Sequence, residues 1–365
     1  MLFSREYLAK AISEIQPQDY ARNRNFVDGS VTRLSPFISR GVISTRDVLK
    51  AILQKSDQWS EIKTIVQQLV WREHFQHAIQ LPEVLHASPS YPAVGIRIPK
   101  SILSANTGIE VIDEALRELY QTGYLHNHLR LYIASLLIHH AQVPWNEGAA
   151  WMYFHLLDAD YASNTLSWQW VAGIGRDKKY VVNQDNINHY THTHQKGTFW
   201  DLPYEALDDL PAPAYLQEKE VITLRTSLPS FSFTGIDPDK PTLIFHPYHL
   251  NAQWHVEWEA NRILILPPNY FSHYPVSENS LQFILEMARS IEGLQIWTGE
   301  WNELQEKTKG SSTYIQEHPL FPYPVNYIEP RDFVAPEIKS TSRSFFSYWK
   351  KIEKNQEKWI QYARS

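Results

Sequence analysis

The chain contains no cysteine. That excludes structural disulfides, thiolate zinc sites and cysteine-ligated iron–sulfur clusters, and it fits a reducing compartment. No apolar run is long enough to span a bilayer, and no basic start followed by an apolar stretch marks a leader. A soluble, cytoplasmic protein is the expectation. No Gly-rich phosphate fingerprint follows any strand candidate, and internal repeats and low-complexity tracts are missing as well. Net positive charge is also lacking: 34 Lys+Arg stand against 40 Asp+Glu, a formal −6. That argues against indiscriminate nucleic-acid binding. The deficit is uneven, because residues 1–200 carry 19 basic and 18 acidic side chains and the remainder 15 and 22. A DNA partner would therefore meet the first part, through a local basic rim.

What the sequence does have is length, helical periodicity and aromatic rings. At 365 residues the chain exceeds one typical core, so two domains are expected. Its 13 Trp and 20 Tyr suit flat-ring stacking as well as packing. Apolar residues at helical spacing predict helices over 2–16 (with Leu2, Tyr7, Leu8, Ile12 and Ile15 on one face), 44–55, 61–80, 110–120, 126–141 and 151–157. A long loop separates Gln80 from Glu110. Pro203, Pro211, Pro213, Pro229, Pro238 and Pro241 make 201–240 read as a Pro-rich linker without regular elements. Short apolar runs follow at 242–245, 262–266 and 294–297, with a helix at 278–291 before the last and a terminal helix at 344–362. The expected fold is mainly α: an all-helical domain over 1–200, the linker, then a smaller Rossmann-like α/β domain with a parallel sheet over 241–365.

The densest chemistry lies between Gly123 and Trp170. Asp158, Asp160, Asn164, Trp168 and Trp170 fall within thirteen positions, with Arg130 upstream. Each has an ordinary reading: Asp and Asn cap helices, and Trp fills cores. Together they suit a seat for a planar redox ring. Asn164 offers a donor and an acceptor to an atom whose protonation follows its redox state. An Asp158–Arg130 pair would tune such a ring electrostatically, and Asp160 would accept from the ring's imide edge or from a sugar hydroxyl. Trp168 and Trp145 would pass an electron inwards. Trp71 and Trp170 would sandwich a second flat group, such as an extruded base. The hydroxyl-rich turn at 31–35 suits either phosphate capture or a capped turn before a short helix. His189, His192 and His194 read as surface-loop residues rather than metal ligands, since no carboxylate pattern accompanies them.

These motifs resemble the FAD-binding, all-helical domain of the DNA photolyase/cryptochrome superfamily, from about Tyr20 to Asn186. Val31-Thr32-Arg33-Leu34-Ser35, before Pro36, is similar to the turn that holds the FAD phosphates in that family. Tyr20 and Arg24 resemble the Tyr and Arg that contact FAD and DNA respectively. Gln68-Leu69-Val70-Trp71-Arg72-Glu73 is similar to the helix lining the substrate pocket, which adds Gln68 and Arg72 to the implied cofactor contacts. Thr107-Gly108 with Val111–Ala115 and the stretch from Gly123 to Arg130 match two further motifs in order. The resemblance implies that Asn164 faces flavin N5, that Arg130 and Asp158 pair beside the ring, and that Asp160 is a further contact. It implies Trp168 and Trp145 as inner and middle members of a photoreduction chain, and Asn127, Trp71 and Trp170 around a flipped lesion.

The departures are specific. Gln68 stands where dimer-splitting members carry Glu, and Asn127 and Leu131 stand where (6-4) enzymes carry His. His128 replaces a DNA-contacting Arg, Ser167 replaces a Gly, and Leu166 is bulkier than usual. No Trp lies between Trp71 and Trp145, so the outermost relay member is missing from its region; Trp151 or a tyrosine is the alternative exit. The family places an α/β antenna domain before the helical one. Here the α/β stretch follows it, which reads as an antenna-like domain in permuted order, with any second chromophore left open. The implied activity is light-driven electron donation from reduced FAD to a pyrimidine dimer in damaged DNA. The alternative is a blue-light photoreceptor acting on a signalling partner.

Overall fold

The computed structural model describes residues 4–56, 58–81, 91–175, 178–207, 210, 212–340 and 344–364. Leu2 and Pro211 lie outside them. The first half is built from helices, with the apolar stripes the sequence predicts turned inwards. Helix Arg5–Ser13 starts at Ser4, whose hydroxyl accepts from Tyr7 N, and buries Leu8 and Ala11. Helix Thr45–Leu53 opens on a reciprocal capping box between Ser44 and Asp47. Helix Trp59–Ala78 is the longest and crosses the middle of this half. Helix Glu110–Thr122 buries Ile112, Ala115, Leu116 and Leu119, the three larger side chains each contributing roughly 1.5–3 kcal/mol if fully buried. Its entrance is tied down by Asp113, which accepts from the amide and hydroxyl of Thr107 at 2.7 Å each.

Three more helices complete the half: Asn127–Ser135, continued by one π-helical turn over Leu136–His140, then Trp145–His155 and Tyr161–Ala172. Helix Trp145–His155 begins six residues earlier than the sequence pattern indicated, because Trp145 and its neighbours sit at a Pro144 entrance that apolar spacing does not reveal. Gly123 ends its helix at φ 72°, and a side chain there would meet Leu157 at 2.7 Å. That close approach lets the Gly123 carbonyl accept from Leu157 N at 2.9 Å, which pins the loop carrying Asp158.

Two stretches expected as loop and linker contain structure. Strand β1 (Val94–Pro99) pairs antiparallel with β2 (Lys219–Thr223), so part of 201–240 belongs to a ribbon packed on the helical half. Both strands were overlooked: Val94, Ile96 and Ile98 alternate along β1 but are interrupted by Gly95 and closed by Pro99, and β2 opens on the charged pair Lys219-Glu220 before Val221 and Ile222, inside a Pro-rich stretch. A short helix, Ala214–Gln217, precedes β2.

Beyond residue 241 the expected α/β order appears. Strands β3 (Thr242–Phe245), β4 (Asn261–Leu266), β5 (Leu294–Thr298), β6 (Thr313–Gln316) and β7 (Tyr327–Glu329) form one parallel sheet in the order β5-β4-β3-β6-β7. Helix Glu278–Ala288 connects β4 to β5. The terminal helix is two helices, Phe345–Lys354 and Gln356–Arg364, broken at Asn355. The mainly α chain with an α/β part thus holds a helical half and a parallel sheet that share a polar seam. Arg40, fully buried, donates to Leu157 O at 3.0 Å and to Ser280 Oγ at 2.8 Å. The Tyr153 hydroxyl lies 3.0 Å from those of both Tyr248 and Tyr270. Among the described residues no helix is long and apolar enough to cross a membrane.

Candidate functional site

A cavity of about 610 Å³ opens in the helical half, lined by residues of several helices. Helix Trp59–Ala78 contributes Gln68, Trp71 and Arg72, and helix Asn127–Ser135 contributes Asn127, His128 and Arg130. Asp158 and Asp160 come from the loop between the last two helices, and Asn164 and Trp168 from the helix that follows. Tyr20, Arg24, Val31, Thr32 and Ser35 close the remaining side. The positions singled out in sequence therefore share one cavity, with four exceptions: Arg33, Leu34, Trp145 and Trp170 do not line it.

Asp158 Oδ2 accepts from Arg130 Nη2 at 2.9 Å, while Arg130 Nε donates to Leu125 O at 2.9 Å. Burial pushes the Asp158 carboxyl up, but the charge and hydrogen bond of Arg130 outweigh it and hold the group below its ordinary value. Ser163 Oγ is buried without a hydrogen-bond partner. Buried polar atoms are rarely left so, and the residue lines the cavity.

Asp160 combines two roles that the sequence left as alternatives. It is the N-cap of helix Tyr161–Ala172, its Oδ1 accepting from Ser163 N at 2.7 Å. Its Oδ2 accepts from Arg72 and from Gln76 at 2.6 Å each. Asn164 is not a cap. Its amide group donates to Tyr91 Oη at 2.7 Å and Ala149 O at 2.9 Å, so it offers the cavity an acceptor and not the donor–acceptor pair expected from its chemistry alone. Burial pushes the Tyr91 phenol well above its ordinary range, so that partner keeps its proton. Trp168 is 2% exposed and packs against Gly148, where any side chain would come within 2.4 Å of its ring.

The other side of the cavity is looser. Asn127 is exposed, and Gln68, Trp71 and His128 are half-buried. One face of Trp71 is already covered by Phe345, stacked at 3.6 Å and 8°. Trp170 is 40% exposed and does not line the cavity; it packs at 5.2 Å on Tyr180, which does. The expected Trp71–Trp170 sandwich is therefore not formed: Phe345 occupies one partner and helix phase turns the other outwards, two positions from Trp168. Tyr180 and Tyr190 line the cavity instead. Neither stands in a spacing that sequence reasoning could flag, and Asn186, Ser163 and Phe75 escaped for the same reason.

Of the remaining residues, Arg33 holds φ 52° and its guanidinium lies 4.8 Å over the Tyr124 ring. Leu34 is buried in the core at the start of helix Ser35–Ser39. Trp145 opens helix Trp145–His155, half-buried. Trp151 is fully buried, so it does not itself reach solvent as an exit. His189 and His192 pack on Phe26, and among the described residues no group of three His, Cys, Asp or Glu side chains is placed to hold a metal ion.

Residues 65–222 match the family described as the FAD binding domain of DNA photolyase. A deoxyribodipyrimidine photo-lyase of Vibrio cholerae is 30% identical over 247 residues, covering 57% of this chain and 51% of that protein. A cryptochrome DASH of Idiomarina loihiensis is 31% identical over 173 residues, covering 44% of this chain and 38% of its own length. The crystal structure of a Synechocystis cryptochrome aligns at 25% identity with a TM-score of 0.44, covering 51% of this chain and 42% of that one. The chain spans about half the length, or less, of the curated relatives it matches. Over residues 65–222 the helical half is thus similar to the FAD-binding domain of the photolyase/cryptochrome superfamily.

Proposed function

We propose that this chain is a photolyase-like flavoprotein that, in light, transfers an electron from reduced FAD to a pyrimidine dimer in DNA. The observation that carries the reading is one cavity whose lining combines the Arg130–Asp158 pair, Asn164 and Trp168 with Gln68, Trp71 and Asn127. The residues fit FAD: Ser163 Oγ, on a residue of the cavity lining, is buried without a hydrogen-bond partner, and the space suits a large ligand. When bound, the flavin supplies light absorption and the electron chemistry.

The protein's own groups bind, orient and tune. Arg130 and Asp158 place a fixed charge pair beside the ring, in a site partly shielded from water. Asn164, with both amide hydrogens engaged, offers Oδ1 to a protonated ring nitrogen. The 31–35 turn would hold the phosphates through Thr32 and Ser35, with Tyr20 alongside. Trp168, held by Gly148, is the inner relay residue and Trp145 the next. A flipped dimer would rest on the free face of Trp71 beside Gln68 and Asn127. Arg24 and His128 would take the DNA backbone at the rim.

The test is loss of dimer from an oligonucleotide, followed with reduced, FAD-loaded protein in light and in the dark. Light-dependent loss is expected. Dimer that persists equally in both sinks the repair reading. A second reading, a photoreceptor without repair activity, is favoured by the Trp71–Phe345 stack and by Trp170 lying off the cavity. It is the reading that survives if the flavin photoreduces but the dimer is untouched.

A further inference from the structure

A second, smaller cavity of about 80 Å³ lies at the carboxyl ends of β3 and β6, where parallel sheets usually present their functional groups. Here that crevice faces the helical half. Ile38, Arg72 and Asp160 line both cavities, so the Arg72–Asp160 ion pair is part of the wall between them. One side chain reaches this wall from the α/β part. Arg331, just beyond β7, donates from Nη1 to Gln76 Oε1 at 2.9 Å, and Gln76 Nε2 donates to Asp160 Oδ2 at 2.6 Å.

We propose that Arg331 is a positioning residue for Asp160, acting through the Gln76 amide; this rests on the reading that the large cavity holds FAD. The chemistry at the two ends of Gln76 fixes its orientation. A guanidinium faces its carbonyl and a carboxylate faces its NH2, and a flipped amide would set like against like at both ends. Gln76 is buried, so water is a poor substitute for either partner. Arg331 is itself held. Glu317, at the end of β6, accepts from its Nε at 2.7 Å and from Nη2 at 3.4 Å, and its guanidinium lies 4.8 Å over Phe333. The sheet thus sets one of the three donors to Asp160 Oδ1 and Oδ2 and fixes the carboxylate that the flavin would meet. Without Arg331 the amide is free to rotate, and Asp160 loses a defined donor on the side of the smaller cavity, so its carboxylate is less firmly set towards the larger one.

The experiment compares wild type, Arg331→Gln, Gln76→Met, the double variant and Arg331→Lys by FAD titration, reading the dissociation constant and the visible spectrum of the bound flavin. Each of the first two substitutions should weaken FAD by about tenfold, the scale of one hydrogen bond to a charged group. The double variant should lose no more than either single one, and Arg331→Lys should recover part of the affinity. A general loss of packing would not give that non-additivity or that rescue. Gln76→Met leaves the Arg331–Glu317 pair intact and carries the test if Arg331→Gln does not fold. Unchanged affinity in Gln76→Met, or losses that add in the double variant, overturns the relay. A wild type that takes no FAD overturns the cavity reading and this proposal with it.

Discussion

Two groups of residues in the lining of the large cavity, a buried wall and a looser one, are held differently. In the first, Asp158, Asp160, Asn164 and Trp168 are buried, and all but the ring are held by hydrogen bonds to the protein. In the second, Gln68, Trp71, Asn127 and His128 are half-buried or exposed, and Trp71 has one face stacked on Phe345. The first wall is preorganised, as a permanently held, planar cofactor requires. The second is adaptable, as a transient guest allows. Gln68, Asn127 and His128, the departures that the resemblance implies, all belong to the second group.

That contrast is breakable. The largest effect should come from Arg130→Leu, which strands the buried Asp158 charge: about 3 kcal/mol of stability, the low end for breaking a buried pair because Arg130 is partly exposed. Denaturant titration and FAD retention check it, and a variant as stable as wild type with FAD bound would remove the distinction between the walls. Trp168→Phe should leave FAD in place but slow photoreduction by roughly tenfold or more, since each factor of ten needs only about 1.4 kcal/mol of added barrier. Unchanged photoreduction kinetics would mean another route. On the second wall, Trp71→Ala should keep FAD affinity and cost about 1 kcal/mol in dimer-DNA affinity, the low end of base–aromatic stacking because only one face is available. FAD loss in that variant would show that the walls are not separable.

A separate effect concerns Glu73, a carboxyl on the cavity helix that does not line the large cavity. Glu73 Oε1 accepts from the Thr45 hydroxyl and from Val334 N at 2.7 Å, bridging the two halves, and Oε2 has no partner. Burial pushes this carboxyl up to about 7 from its usual 4.5. A group raised in the folded state binds its proton more tightly there, so its contribution is full below pH 4.5 and fades as pH rises towards 7. Glu73→Gln should therefore flatten the pH dependence of unfolding in that window, measured by thermal melts. An unaltered slope would place the proton elsewhere.

Legibility in the sequence followed the same division. Asp158, Asn164, Arg130 and Trp168 were readable because a fixed-spacing motif concentrates unusual residue types, and the structure brings all four to one cavity. Helices with strong apolar spacing, such as Glu110–Thr122 with its Gly123 stop, were readable from period and cap. What was missed depends on contacts between distant segments. Strands β1 and β2 pair with each other across more than a hundred positions, and the short alternation of Val94, Ile96 and Ile98 in β1 is masked by its glycine and proline. Phe345 covers Trp71 from 274 positions away, and Arg331 reaches Gln76 from 255. Trp170 looked like a cavity residue because its neighbour Trp168 is one, yet two positions along a helix turn a side chain by about 200°.

The central claim is that the buried wall is a flavin seat. The most direct measurement is the visible spectrum of the purified, FAD-equilibrated protein after free cofactor is removed, with the flavin quantified on denaturation. The account predicts one FAD per chain, with structured absorbance in the blue. Protein that carries no flavin, and takes up none, would contradict it.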